Sequence, residues 1–342
     1  MLKFDSSILV VDLGGTKTIL AMASGNSESV QLEHVRTFAS QGAASLDHLL
    51  DQYLTTVSVQ PKHAVIAVAG PVFDGQASIT NLPWDVDSIA IAGTFEFERV
   101  DLLNDLEAMA WSIPITVPAD VEALQSKRAV HGGAIALLAP GTGLGVAFLT
   151  WNGVAYDAHA TEGGHADFAP CNAEQKRLLT FLREEFGHVS VERVCSGIGL
   201  ANIYRFLLQE SSEPERHSIQ TALEQAPDST PVIIAAALSK KSPLCERAVS
   251  MFIEALAAEA GSFALRVKAT GGIYLGGGLS LHLLPFLQSD LFTNHFSAKG
   301  RFSEFLQSLP IAVLRDQLSV ARGAARVGMQ EITEPADSKG YV

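Results

Sequence analysis

The feature that most constrains this fold is a strand, glycine turn and strand near the start of the chain. The apolar run 8–11 leads to a lone carboxylate, Asp12, and the chain then turns through a Gly-Gly pair into a second β-rich run. Glycines let backbone amides approach a polyphosphate closely, while Thr16 and Lys17 add a hydroxyl and a cation. Asp12 can hold a hydrated Mg²⁺. The segment matches neither a Walker loop nor a dinucleotide fingerprint, and an ordinary hairpin turn is the alternative interpretation.

The same pattern recurs in the second half of the chain. A buried run at 134–139 leads into a glycine-rich turn at 140–145 and a further strand to Leu149. A third buried run, 272–275, ends in three glycines at 276–278. Open α/β sheets place their ligands at such turns, beyond the ends of buried strands. The repetition predicts a duplicated core with a cleft between the two halves.

Apolar periodicity predicts the elements around these turns. Helices are predicted at 45–57, 106–113 and 318–329, and helices dominate 173–268. Strands are predicted at 30–38, 64–69, 102–103 and 311–314. Prolines at 114 and 118 end the second helix, so the first domain boundary is expected there.

Composition restricts the classes of function. A chain of 342 residues with 47% apolar content is long enough for two domains with large cores. Its formal charge of −13 argues against a nucleic-acid or anionic-membrane partner. No apolar run approaches the ~20 residues of a membrane span, and the first residues lack the apolar core of a signal peptide. Three widely spaced cysteines are typical of reduced thiols, so we expect a cytoplasmic protein.

Asn104 and Asp105 lie where a short predicted strand ends and a helix begins. An acid at this point can cap the helix. It can also be a general base that accepts a hydroxyl proton in phosphoryl transfer, with Asn104 orienting the acceptor. The two roles can coexist, and Asn81 and Trp84 in the preceding loop are candidates to line the same pocket.

Glu162 and His165 enclose two glycines in a predicted loop. With His159 they can be interpreted as a metal cluster, but the spacing lacks the helical H-E-x-x-H geometry of a zinc protease. A solvated loop is another interpretation. We favour recognition of a polyol, because a carboxylate accepts hydrogen bonds from sugar hydroxyls and an imidazole donates or accepts them. Glu192 is a weaker acidic candidate, since a surface helix would also carry it.

Together these motifs resemble those of the bacterial-type glucokinases, in the sugar-kinase branch of the actin-like ATPase superfamily. The resemblance covers residues 10–327 and is carried by the segments 11–16, 104–108, 141–146, 162–170 and 192–197. It implies an α/β fold of two actin-like ATPase (ribonuclease H-like) domains with a cleft between them. The small domain would be 1–115 plus 312–330, and the large domain would be 116–311.

The resemblance also implies MgATP-dependent phosphorylation of the 6-hydroxyl of glucose, feeding glycolysis, by a homodimer. Asp105 would be the catalytic base. The sugar-binding residues would be Asn81, Asn104, Asp105, Glu162, His165 and Glu192. The ATP-binding residues would be Val11, Asp12, Leu13, Gly14, Gly15, Thr16, Lys17, Gly141, Thr142, Gly143, Gly276, Gly277 and Gly278, with Asp12 holding Mg²⁺ through water.

One departure from the pattern concerns zinc. Related repressor-and-kinase proteins carry clustered cysteines after the equivalent histidine, but only Cys171 follows here, so a structural zinc is not expected. The alternatives are a kinase for another hexose or an amino sugar, a non-catalytic sugar-sensing protein, and a chaperone-like ATPase of the same fold.

Overall fold

The computed structural model describes residues 7–79, 82–212 and 215–333, so the candidate sugar residue Asn81 lies outside the described residues. The chain divides into two compact units. The first holds residues up to 118, residues 156–160 and residues from 316 onward; the second holds 119–155 and 161–315. The division into domains 1–115 with 312–330 and 116–311 stays a prediction.

The first unit contains the opening hairpin. Its elements are β1 (Ile8–Leu13), β2 (Lys17–Asn26), β3 (Ser29–Ala39), α1 (Leu46–Leu54), β4 (His63–Val68), β5 (Val72–Phe73), β6 (Gln76–Ser78), β7 (Asp85–Asp87), α2 (Ser88–Phe95), β8 (Arg99–Asn104), α3 (Asp105–Ser112) and α13 (Ser319–Thr333). The main sheet has the order β3-β2-β1-β4-β8. β1 runs antiparallel to β2 and parallel to β4, and β4 runs parallel to β8.

Both faces of this sheet are covered, which explains the continuous apolar run of β1. Alternate residues of a strand point to opposite faces, and those of β1 enter two separate cores. Leu9 and Val11 pack in the core that contains α1. Ile8 and Val10 pack in the core formed with α3 and α13.

Helix α13 packs directly on the backbone of α3. A Cβ atom at Gly323 would fall inside the van der Waals radius of the Ala108 carbonyl oxygen, so only glycine allows this approach. The buried guanidinium of Arg326 donates from Nη1 to the Trp111 carbonyl at 3.0 Å. Helix α13 therefore fixes the position of α3, the helix that begins at Asp105.

The small sheet β5–β7 and helix α2 of the first unit were not predicted from the sequence. β5, β6 and β7 form a small antiparallel sheet from strands of two or three residues, which is too short for a periodic signal. α2 places Ile91 and Phe95 in the core but leaves Ile89 82% exposed. Its apolar residues therefore do not keep to one face, and the helical period is obscured.

The second unit contains the repeated hairpin and most of the helices. Its elements are β9 (Val121–Gln125), β10 (Ile135–Pro140), β11 (Leu144–Trp151), α4 (Ala173–Phe186), α5 (Gly197–Glu210), α6 (His217–Gln225), α7 (Thr230–Leu238), α8 (Pro243–Val267), β13 (Gly272–Leu275), α9 (Gly277–His282), α10 (Leu284–Leu287), α11 (Asp290–Ser297), α12 (Ser303–Gln307) and β14 (Ile311–Leu314). Residues Tyr156–Thr161 form β12, of which only Thr161 belongs to this unit. The sheet has the order β12-β11-β10-β13-β14-β9. β10 runs antiparallel to β11 and parallel to β13, which confirms the predicted repeat of the opening hairpin.

Helix α8 corrects one statement of the sequence analysis. By length and mean hydropathy it is apolar enough to span a membrane, although no such run was expected. However, 78% of its most apolar window is buried inside the protein, and it packs against α5, α7 and α11. This burial is that of a core helix, and no other helix within the described ranges reaches the same length and hydropathy.

Candidate active site

The turn of the opening hairpin is fixed by hydrogen bonds within the first unit. Gly14 N donates to Lys17 O at 3.1 Å. Ser40 N donates to Thr16 O at 2.9 Å, and Ser40 Oγ donates to Gly14 O at 2.7 Å. Ser40 is fully buried, and its hydroxyl lies 2.9 Å from that of Thr18. Two carbonyl groups of the turn are thus held by Ser40, which sequence reasoning missed because no local pattern links residues so far apart.

The carboxyl ends of β1, β4 and β8 lie at one edge of the first sheet. Asp12 is aligned with Ala67 of β4, and Ala67 with Leu103 of β8. Asp105, which begins α3, follows directly after this strand. The topology therefore brings the acid of the hairpin and the predicted base to the same edge of the sheet.

The two acids influence each other. The pKa of Asp12 is raised from 3.8 to about 7, chiefly by desolvation of its carboxyl group and secondly by the negative charge of Asp105, while the Lys17 ammonium lowers it. Two neighbouring carboxyl groups whose negative charge Lys17 only partly offsets suit a hard divalent cation, whose preferred ligands are oxygens. The residues present therefore fit Mg²⁺ at Asp12.

The hydrogen bonds at the start of α3 show which residue caps this helix. Asn104 is the cap of α3: its Oδ1 accepts from Leu106 N at 3.0 Å and from Glu107 N at 3.3 Å. Its Nδ2 donates to Gly70 O at 3.1 Å, which ties the cap to the end of the neighbouring strand. Asn104 is thus the N-cap residue, and Asp105 is the first residue of the helix, where its Oδ1 also accepts from Leu106 N at 2.9 Å.

In the second unit the structure brings Glu162, His165 and Glu192 together. His165 Nε2 lies 3.9 Å from Glu162 Oε2, and His165 Nδ1 lies 4.0 Å from Glu192 Oε1. The side chains of Glu162 and His165 are 76% and 63% exposed, so a ligand can reach them. Across the described residues no group of three or more His, Cys, Asp or Glu side chains is placed to hold a metal ion.

The two glycines between Glu162 and His165 pack closely on β11, and at Gly164 only glycine fits. A Cβ at Gly164 would overlap the Leu144 carbonyl oxygen, and one at Gly163 would lie 3.2 Å from Val146 Cβ. The glycines thus bring this short 3-10 turn against the strand that follows residues 141–143.

The other predicted glycine turns line one cavity of the second unit. It has a volume of about 620 Å³ and is lined by the turn at 141–142, the start of α5, residues 227–231 and the start of α9. Gly197 N donates to Gly141 O at 2.8 Å, and Gly277, with φ of +76°, approaches Pro140 O. Gly143 is different, because it faces Glu192 rather than the cavity. The lining at 227–231 carries no motif and was missed by the sequence analysis.

Comparisons with known proteins agree with these features. The glucokinase family model matches residues 9–331. A glucokinase of Nostoc sp. is 34% identical over 333 residues, which cover 93% of this chain and 97% of the relative. The crystal structure of a glucokinase from an Antarctic psychrotroph has a TM-score of 0.83 at 29% identity and covers 95% of this chain and 99% of its own.

A more distant structure shows the likeness of fold alone. It is a ROK family glucokinase from Streptomyces griseus in complex with glucose and AMPPNP, with a TM-score of 0.64, 17% identity, and coverage of 95% of this chain and 100% of its own. The fold is the α/β actin-like ATPase fold of the sugar kinases. Because the family match runs from β1 to α13 and relatives of similar length share about a third of the residues, the chain belongs to the glucokinase family.

Proposed function

We propose that this protein transfers the terminal phosphoryl group of ATP to the 6-hydroxyl of glucose. The observation that carries the proposal is the placement of Asp105 at the same sheet edge as Asp12 and the glycine turn, in a chain of the glucokinase family. A base, a cation ligand and a phosphate-binding turn are the groups that phosphoryl transfer to an alcohol needs.

Asp105 is proposed as the catalytic base. Its carboxylate accepts the proton of the 6-hydroxyl as the sugar oxygen forms its bond to phosphorus and the bond from phosphorus to the ADP oxygen breaks. Asn104 orients Asp105 by fixing the first turn of α3 through Leu106 N and Gly70 O. When bound at Asp12, Mg²⁺ neutralises charge on the phosphates.

The glucose hydroxyls are assigned to Glu162, His165 and Glu192, with Asn81 and Asn104 as further predicted contacts. The two carboxylates accept hydrogen bonds from hydroxyl groups, and the imidazole donates or accepts one. Support comes from their convergence within 4.0 Å of one another through His165 and from their exposure.

The nucleotide is assigned to the glycine turns. The amides of residues 14–17 are proposed to bind phosphates, together with Val11, Leu13 and the Lys17 ammonium. The cavity beside Gly141, Thr142 and Gly278 is proposed to hold the adenosine, since about 620 Å³ is an ordinary size for a small-molecule site. Gly276 and Gly277, which directly precede the lining residue Gly278, and Gly143 are further predicted nucleotide contacts.

ATP as donor is supported by the Streptomyces griseus relative, described in complex with glucose and AMPPNP. We further propose that the protein is cytoplasmic, acts as a homodimer and feeds glycolysis.

A coupled assay with MgATP and a panel of glucose, mannose, fructose and N-acetylated hexosamines tests the proposal. Glucose should have the highest kcat/KM, and Asp105→Asn should abolish most turnover, whereas Asp51→Asn, an exposed acid of α1, should not. A higher kcat/KM for another sugar would refute the glucose assignment, and sugar-independent ATP hydrolysis would favour a different class of ATPase.

A further inference from the structure

Glu192 lies between two loops of the second unit and uses its two carboxylate oxygens differently. Oε2 accepts a hydrogen bond from Leu144 N at 2.9 Å, directly after the turn at 141–143. Oε1 lies 4.0 Å from His165 Nδ1. One carboxylate thus faces the nucleotide turn with one oxygen and the sugar residues with the other.

The main chain of Leu144 is also held from its other side. Its carbonyl oxygen packs against Gly164, where no Cβ fits. Gly164 lies in the short turn between Glu162 and His165. The position of Leu144 is therefore fixed at its amide by Glu192 and at its carbonyl by the loop of residues 162–165.

Gly143 lies directly against the Glu192 carboxylate that accepts from Leu144 N. A Cβ added there would lie 2.5 Å from Glu192 Oε2 and 3.3 Å from Glu192 Cδ, and apart from its chain neighbours no other atom of the described residues lies within 4 Å of it. A Cβ at Gly93, in α2, would meet no such atom of the described residues within 4 Å. Neither glycine has a positive φ, so alanine at either position adds a methyl group without backbone strain.

We propose that Glu192 is a positioning residue that couples the nucleotide turn, residues 141–143, to the sugar site formed by Glu162, His165 and Glu192. A sugar hydroxyl on Oε1 holds the carboxylate in place, and Oε2 then holds the Leu144 amide and the end of the turn. Because binding free energies are reciprocal, the conformation of the turn in turn affects glucose affinity. The inference rests on the proposed function, since it takes His165 and Glu162 as sugar ligands.

Titration calorimetry of glucose binding to the full chain, without nucleotide, tests this coupling. Gly143→Ala should displace Glu192 and weaken glucose binding by about 5-fold or more. Gly93→Ala, in α2 and outside both proposed sites, is the matched control and should change the glucose Kd by less than about twofold. With Glu192→Ala already present, Gly143→Ala should cause no further loss, because the atoms it would strike are gone.

AMPPNP binding without sugar provides a second measurement, which stays readable if Glu192→Ala no longer binds glucose. Glu192→Ala should weaken AMPPNP binding by about 5-fold or more, because Leu144 N loses a charged acceptor. Glu192→Gln should retain most of the affinity, since its amide oxygen can still accept from Leu144 N. Glu162→Gln, an acid of the same sugar site without this bond, should leave AMPPNP binding unchanged.

The proposed coupling through Glu192 is refuted if Gly143→Ala leaves glucose binding intact, or if it weakens glucose binding equally with and without Glu192. It is also refuted if Glu192→Ala binds AMPPNP as the wild type does. The proposed function fails in a distinguishable way. A wild-type protein that binds AMPPNP but not glucose would refute the sugar assignment, while the AMPPNP series would still test the bond to Leu144.

Discussion

Replacing Asp12 with asparagine should stabilise the ligand-free protein, and the gain should depend on pH. In the unfolded chain this carboxyl ionises near 3.8, whereas in the folded protein its pKa is about 7. Between these values the folded protein retains a proton that the unfolded chain has lost, so stability falls as pH rises and the penalty is complete above about pH 7.

The magnitude follows from the same two values. A rise from 3.8 to about 7 corresponds to at most about 4 kcal/mol, at about 1.36 kcal/mol per pKa unit. Since Asp12 is only half-buried, solvent screening reduces this, and we expect Asp12→Asn to gain about 2 to 4 kcal/mol at pH 8 and roughly half of that at pH 5.

Scanning calorimetry of the ligand-free protein measures the effect. For a unit of about 150 residues, 2 to 4 kcal/mol amounts to a Tm increase of roughly 5 to 15 °C at pH 8. Asp51→Asn, at an exposed position, is the control and should change stability by less than about 0.5 kcal/mol at either pH. Equal Tm values for Asp12→Asn and wild type at pH 8, or a difference that grows as pH falls, would refute the reasoning.

Three further substitutions test separate parts of the site. Asp105→Asn keeps the shape of the side chain but removes the proton acceptor, so kcat should fall by about 10²-fold or more with little change in glucose affinity; near-normal turnover would show that Asp105 is not the base. Glu162→Gln should raise the glucose KM by an amount equivalent to about 1–3 kcal/mol, and an unchanged KM would remove Glu162 from the sugar site. Ser40→Ala removes the hydrogen bond from Ser40 Oγ to Gly14 O and the contact with the Thr18 hydroxyl, so the KM for ATP should rise more than that for glucose; equal changes in both would indicate general destabilisation.

The sequence predicted the parts of the fold that depend on neighbouring residues. Both hairpins are recognisable because each glycine turn lies between two apolar runs, and β1–β2 and β10–β11 confirm them. β9 and β12 were not predicted, because each lies at an edge of the sheet and lacks a continuous apolar run. The position of β9 depends on pairing with β14, which is distant in sequence, whereas β12 lies beside β11, the strand directly before it.

The same distinction applies to the site. Asn104 and Asp105 could be located from a local motif, but the sequence could not show that Asn104 is the cap, because Gly70 O, in the turn after β4, completes its hydrogen bonds. Ser40 and Gly143 are further examples. The role of each depends on a partner elsewhere in the chain, the hairpin turn for Ser40 and Glu192 for Gly143.

The packing of α13 on α3 has a consequence for biosynthesis. The ribosome makes α3 early, but the helix that covers it, through the contact of Gly323 with Ala108, emerges only after the whole second unit. Until then Ala108 and the Ile8 and Val10 face of β1 lack the part of their core that α13 supplies, so we expect the nascent first unit to remain sensitive to protease until residues 319–333 are released. Stalled chains of increasing length, probed by limited proteolysis, would show whether protection of α3 arises at that point, and early protection would contradict this order of assembly.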